Sequence, residues 1–394
     1  MAHDSTPGTP KGCERIAYAV GFHENATYSD VYGGGGAVVG LDCHLLRPVG
    51  TPSDTLIVFM HPVGGGMYLP MVRALAARGH HVLWANSRYR GADYALIMEK
   101  VACDLGEAIC DARDRLGYSR ILLAGWSGGG SLAMWYQALA EAGEGIRDTA
   151  AGDPYEVRAE RMPAADGLLM LAAHVSRHRI FTEWLDPSIA DESRPEVRDP
   201  MLNLYDEANP NQPPYEAAFL ETFRAAQIAR NRRITAWVRD RLEAIRGSEH
   251  PFGEFAFTVH GTMADPRWLD GSIEPSDRVV GTCYLGDPRI MNDGPVGLAR
   301  FSTLRSWLSQ WSLDDARCDA IDSGSRVTVP VLVIGNSADD ACTPSHTSRL
   351  YEAVGHERKQ LHVVQGATHY YTGPKGREHL AEACEVIDGF IGGL

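Results

Sequence analysis

A serine hydroxyl is a weak nucleophile at neutral pH unless a base takes its proton and a carboxylate holds that base in place. Candidates for all three stand in this chain where the local sequence could present them. Ser127 is the centre of Gly125-Trp126-Ser127-Gly128-Gly129, behind the apolar run Ile121-Leu122-Leu123-Ala124 and ahead of Ser131-Leu132-Ala133-Met134-Trp135-Tyr136. A buried strand that turns at once into a helix strains its central residue, and glycines on either side let the chains pass closely. The hydroxyl is then exposed at the end of the strand. Downstream, Gly335-Asn336-Ser337-Ala338-Asp339-Asp340-Ala341-Cys342-Thr343-Pro344 follows the run Val329 to Ile334, and Gly366-Ala367-Thr368-His369-Tyr370-Tyr371 follows Leu361-His362-Val363-Val364. His369 is the candidate base, because it falls in a strand-end loop, whereas His362 lies inside a strand. The acidic pair Asp339 and Asp340 supplies the candidate acid, either of the two.

Negative charge developing on an attacked carbonyl needs N–H donors already in place. Gly128, directly after the serine, offers one, and the glycine-rich His61-Pro62-Val63-Gly64-Gly65-Gly66 offers a second from Val63 or Gly64. The same glycines lack the spacing of a phosphate loop. Trp126, His61, Met67 and Tyr370 are the candidate substrate contacts, with Tyr68, His174 and Tyr371 also near; side chains of this kind suit an apolar, bulky or aromatic ligand.

The elements that must position these residues follow from the hydrophobic pattern. Apolar runs at Thr55–Met60, Val82–Ala85, Ile121–Ala124, Asp166–Ala173, Val329–Ile334 and Leu361–Val364 read as buried strands, and Ile16–Val20 and Ala37–Leu46 as an antiparallel edge joined by a turn at Gly33–Gly36. Helical spacing falls between them, notably from Leu96 to Leu116, in the stretch after Ser127, and from Arg377 to Gly392. The pattern predicts an α/β fold, a mostly parallel doubly wound sheet, with a largely helical cap inserted between the sixth and seventh core strands. The expected division is a flexible arm over residues 1–13, a core over 14–174 and 326–394, and a cap over 175–325. Within the cap, Pro214–Arg246 reads as one or two long helices with seven arginines, taken as a solvated face paired with Glu221, Asp240 and Glu243.

A formal charge of −14 disfavours a nucleic-acid or anionic-membrane surface. Eight cysteines without C-x-x-C pairs suit reduced thiols, and no secretory leader pattern is seen, so the expected setting is cytoplasmic. No metal or organic cofactor is expected; the expected partner is a small-molecule ester, and assembly into a homo-oligomer stays open.

Four motifs in order, H-P-V-G-G-G at His61–Gly66, G-W-S-G-G at Gly125–Gly129, G-N-S-A-D-D-A-C-T-P at Gly335–Pro344 and G-A-T-H at Gly366–His369, resemble the α/β-hydrolase superfamily. The resemblance implies a capped serine esterase in which Ser127, Asp339 and His369 form the triad. Pro62 departs from the family, where glycine often follows the histidine. A serine at the elbow argues against dehalogenase and epoxide-hydrolase chemistry. Acyl transfer, C–C bond hydrolysis and amide hydrolysis share the same residues, and a non-catalytic binding protein on this scaffold is the alternative from another class.

Overall fold

The computed structural model describes residues 9–24, 29, 31 and 38–394; the turn expected at Gly33–Gly36 and most of the expected arm lie outside them. Eight strands form the central sheet: β1 (Cys13–His23), β2 (Val38–Pro48), β3 (Thr55–Phe59), β4 (His81–Ala85), β5 (Arg120–Trp126), β6 (Gly167–Leu171), β7 (Val331–Asn336) and β8 (Lys359–Val364). Their spatial order is β1-β2-β4-β3-β5-β6-β7-β8. β2 runs antiparallel to β1 and β4, and every pairing from β4 through β8 is parallel.

The period-two geometry of a strand explains why these runs are apolar throughout. On β5, Ile121 and Leu123 enter one buried cluster and Leu122, Ala124 and Trp126 the other, and β3, β6 and β7 divide their side chains in the same way. Helices α2 (Met98–Asp114) and α3 (Gly128–Ala142) supply the first cluster, while α1 (Pro70–Ala77) and the closing helix Gly376–Gly392 supply the second. After β3 the chain steps outward to β4 and then returns to the opposite side of β3 for β5. That reversal opens a crevice at the carboxyl ends of β3 and β5, where the two glycine-rich segments stand. Register aligns the other strand ends with it: Trp126 pairs with Leu171, Ile334 with Leu171, and Asn336 with Val364.

The segment between β6 and β7 carries helices α4 (Arg177–Trp184) and α5 (Ala217–Arg246), the helix Leu304–Gln310 and a small antiparallel pair, Ala256–Thr258 with Phe301–Thr303. Much of the rest is turns and irregular chain, so the insertion is less helical than its spacing predicted. Prolines and paired Asp/Asn turns over residues 185–215 are the physical reason. It has a hydrophobic centre of its own, with Phe181, Ile234, Val238, Trp307 and Trp311 in one cluster. Cys318 and Ala320 already belong to the main core, so the chain rejoins the core before residue 326. Among the described residues six of the seven α5 arginines pair with other segments and not with Glu221, Asp240 or Glu243: Arg224 with Asp265, Arg230 and Arg233 with Glu192, Arg232 with Asp314, Arg239 with Asp315 and Arg246 with Asp153, while Arg241 lies over the Phe255 ring. Among the described residues no helix is long and apolar enough to cross a membrane.

Candidate active site

Ser127 joins β5 to α3 with φ 53° and ψ −122°, a conformation most side chains avoid. The chain holds it there by packing. Cβ atoms added at Gly125 and Gly129 would stand 2.4 Å from the Gly129 carbonyl oxygen and 2.5 Å from the Met60 carbonyl oxygen, so only glycine admits this crossing. The Ser127 amide is tethered at 3.2 Å to the carbonyls of both Leu171 and Ala172 at the end of β6.

The loop after β7 brings up the acid. Asp339 Oδ1 accepts the N–H groups of Ala341 and Cys342 at 2.8 and 2.7 Å, which leaves Oδ2 to face His369 Nδ1 at 2.7 Å. Both side chains are almost wholly buried. Because a carboxylate only accepts, the ring proton sits on Nδ1, and Nε2 keeps its lone pair for a proton taken from elsewhere. The His369 loop is fixed to the strand ends by Asn336 Nδ2 donating to the Thr368 carbonyl at 2.9 Å and by Ala338 N–H donating to the Ala367 carbonyl at 2.9 Å. Asp340 makes no contact with the imidazole comparable to that of Asp339. Its carboxyl is raised to about 6, by burial first and by the neighbouring Asp339 charge second.

Cys342, which the sequence did not single out, completes the cluster. Its thiol is pushed well above the usual thiol range by burial and by the Asp339 charge. Donor atoms of Asp339, Cys342 and His369 lie within 4.8 Å of one another, a metal-like spacing, while Asp339 Oδ2 and His369 Nδ1 are bound to each other.

The expected oxyanion donors divide. Gly128 opens α3, where a first-turn N–H has no acceptor within the helix. Val63 and Gly64 do not offer theirs: the Val63 amide binds His61 Nδ1 at 3.3 Å and the Gly64 amide binds the His61 carbonyl at 2.8 Å. Gly65 is likewise held by Asn86 Oδ1 at 2.7 Å. The missing glycine after His61 explains this, since Pro62 has no N–H and fixed φ, and the loop closes on itself. The side chain of His61 stands there instead. With Nδ1 accepting, a neutral His61 carries its proton on Nε2, and that nitrogen would be 2.9 Å from a Cβ built at Gly128. Burial, with Arg177 and His369 adding positive charge, pulls His61 down to about 3, which keeps it neutral.

Trp126 lies beneath the site: its ring is 4.6 Å from His369 and 5.1 Å from Tyr370, and its Nε1–H donates to the His369 carbonyl at 3.4 Å. It therefore braces the histidine loop. Tyr370 meets the exposed Tyr68 in a tilted ring contact at 6.2 Å, and Met67 packs against the second core cluster. From the insertion, Tyr284 reaches 6.5 Å from the His369 ring. Arg177, at the start of α4, was also missed. Its place just beyond β6, in the same row of strand-end loops, is the signal that could have found it.

The strand order and the elbow, with an Asp–His pair at the strand ends beyond it, define an α/β-hydrolase fold. No protein family and no curated protein matches the sequence. Solved structures that resemble it include Est1E from Butyrivibrio proteoclasticus, at 14% identity and TM-score 0.43 over 90% of this chain and 95% of that one. An esterase domain from Rhodothermus marinus gives 13% and 0.45 over 95% and 97%. A monoacylglycerol lipase from Paleococcus ferrophilus gives 16% and 0.44 over 89% and 99%.

Proposed function

We propose that this protein is a serine hydrolase that cleaves a carboxylic ester through an acyl-enzyme intermediate. The observation that carries the reading is the 2.7 Å bond from His369 Nδ1 to Asp339 at the strand ends beside the strained Ser127. In the first half-reaction Ser127 Oγ bonds to the ester carbon as its proton passes to His369 Nε2. The oxyanion is met by the Gly128 N–H and by the Nε2–H of His61, in place of a second backbone amide. Collapse breaks the ester C–O bond, and His369 returns the proton to the departing alcohol. In the second half-reaction His369 takes a proton from water, the hydroxide adds to the acyl carbon, and Ser127 leaves with the proton restored. The substrate is small to medium, with an apolar or aromatic part.

A fluorophosphonate probe tests this. The expected result is labelling of Ser127 in the wild type and its loss in Ser127→Ala, together with turnover of short p-nitrophenyl esters that falls by a factor of about 10³ or more in the variant. Labelling that persists in Ser127→Ala would overturn the assignment. Product analysis with an added alcohol separates hydrolysis from acyl transfer.

A further inference from the structure

Around Gly128 the structure gathers more donor groups than ester hydrolysis needs. A Cβ built there would meet not only His61 but also His174 Nε2 at 3.3 Å and Arg177 Nη1 at 3.4 Å. Arg177 is buried, at 4% exposure, and makes no ion pair among the described residues. Its Nε and Nη2 have no hydrogen-bond partner, and neither does Nδ1 of the equally buried His174. Trp311 covers one face of the guanidinium at 4.4 Å, which fixes the plane and leaves the donor edge free. Two other buried arginines without an ion pair among the described residues, Arg278 and Arg300, spend their donors on backbone carbonyls, and the rest are ion-paired. Arg88 is paired with Asp104 and Glu24, Arg230 with Glu192, and Arg267 with Asp265 and Glu183.

A buried guanidinium with open donors is costly, and a ligand carboxylate answers it with two parallel N–H···O bonds. We infer that Arg177, with His174 beside it, is a carboxylate-binding subsite next to the oxyanion position, so that the substrate is an ester bearing a carboxylate close to the reacting carbonyl. Asp93, the acid whose field reaches Arg177, lies outside ion-pair distance and leaves that role to the ligand. The inference rests on the ester-hydrolase reading for the reaction, though not for the binding of the anion.

Two pairs of esters, each a carboxylate and its methyl ester, test it. p-Nitrophenyl hydrogen glutarate against its methyl ester places the carboxylate on the acyl side, and 4-acetoxybenzoate against methyl 4-acetoxybenzoate places it on the alcohol side. The expected result is a kcat/KM ratio, anionic over neutral, of about 10–100 for one of the pairs, as hydrogen bonds to a charged group supply. That ratio falls toward one in Arg177→Gln and is partly kept in Arg177→Lys, with unfolding midpoints checking that both variants are folded. A wild-type ratio at or below one for both pairs overturns the subsite while fluorophosphonate labelling of Ser127 leaves the hydrolase reading standing. So does an Arg177→Gln variant that loses both members of a pair equally. Should the probe fail to label Ser127, calorimetric binding of monomethyl glutarate decides: binding that Arg177→Gln abolishes upholds the subsite, and binding that is absent or unchanged overturns it.

Discussion

At the scale of single residues, two neighbouring aspartates have opposite environments. Asp339 is satisfied on both oxygens, whereas Asp340 is half-buried beside it and raised to about 6. A carboxyl raised above its unfolded value of 3.8 favours the folded state while protonated, and that contribution is lost as pH rises through about 6. Asp340→Asn should therefore stabilise the protein by about 2–3 kcal/mol at pH 7.5, with the gain shrinking toward pH 4.5. Denaturant unfolding at the two pH values checks it; an equal gain at both would refute the assignment. The sequence could not choose between these two positions. Neighbouring loop residues point in directions set by the turn, and here the amides of Ala341 and Cys342 turn Asp339 inward. The same reasoning separates Ser127 from Cys342 as nucleophile. A protonated, buried thiol should resist iodoacetamide at pH 7.5, leaving esterase activity intact under conditions where fluorophosphonate abolishes it. Loss of activity that tracks alkylation of Cys342 would count against that.

At the scale of elements, the elbow is specified by close approach of backbone. A methyl group at Gly129 would press on the Met60 carbonyl, which belongs to the end of β3 and cannot move without opening the sheet. Gly129→Ala should cost about 1–3 kcal/mol of stability and displace Ser127, so activity should fall by more than the folded fraction does. Unfolding curves and active-site titration on the same sample measure both. Helix α5 offers a contrast between two of its arginines. Arg230 is buried, paired with Glu192, and donates to the carbonyls of Asp186, Gly261 and His260. Arg232 holds Asp314 in solvent. Arg230→Met should destabilise by about 3 kcal/mol, while Arg232→Ala should leave the unfolding midpoint unchanged. The core strands and long helices were legible because runs buried on both faces, or at helical spacing, reflect packing directly. The helix Pro344–Ala353 was not, since its buried positions are only His346, Thr347 and Leu350. Nor was the hairpin of Ile146–Asp148 with Pro154–Val157, whose strands are too short to show a period. The oxyanion loop was misread for a related reason: glycine content signals freedom to turn, but not which amides the turn will consume.

At the scale of the whole molecule, the question is whether the insertion between β6 and β7 behaves as a separate unit. Its own hydrophobic cluster argues that it could, and the bonds it makes to the core argue that it does not. Ser309 Oγ accepts the Met98 amide at 2.7 Å and donates to Glu99 at 2.8 Å, and Gln310 donates to the Leu96 carbonyl at 3.1 Å. On the other side of the site, Trp268 Nε1–H donates to the Asp340 carbonyl at 2.7 Å and Arg267 to Thr343 Oγ1 at 3.0 Å. Glu99 is buried, its carboxyl raised by desolvation and held down in part by Ser309. Undocking the insertion would strip the partners from these groups, and each buried group left unpaired costs about 1–3 kcal/mol. A state in which the insertion undocks while its own cluster stays folded loses all five bonds and frees little chain in return. Heating should therefore give one transition whose calorimetric and van't Hoff enthalpies agree. Ser309→Ala, made on the insertion side of that contact, should lower this transition as a single peak. Two resolved peaks, with Ser309→Ala moving only one of them, would show that the insertion melts on its own and that the site is roofed by an independently folding unit.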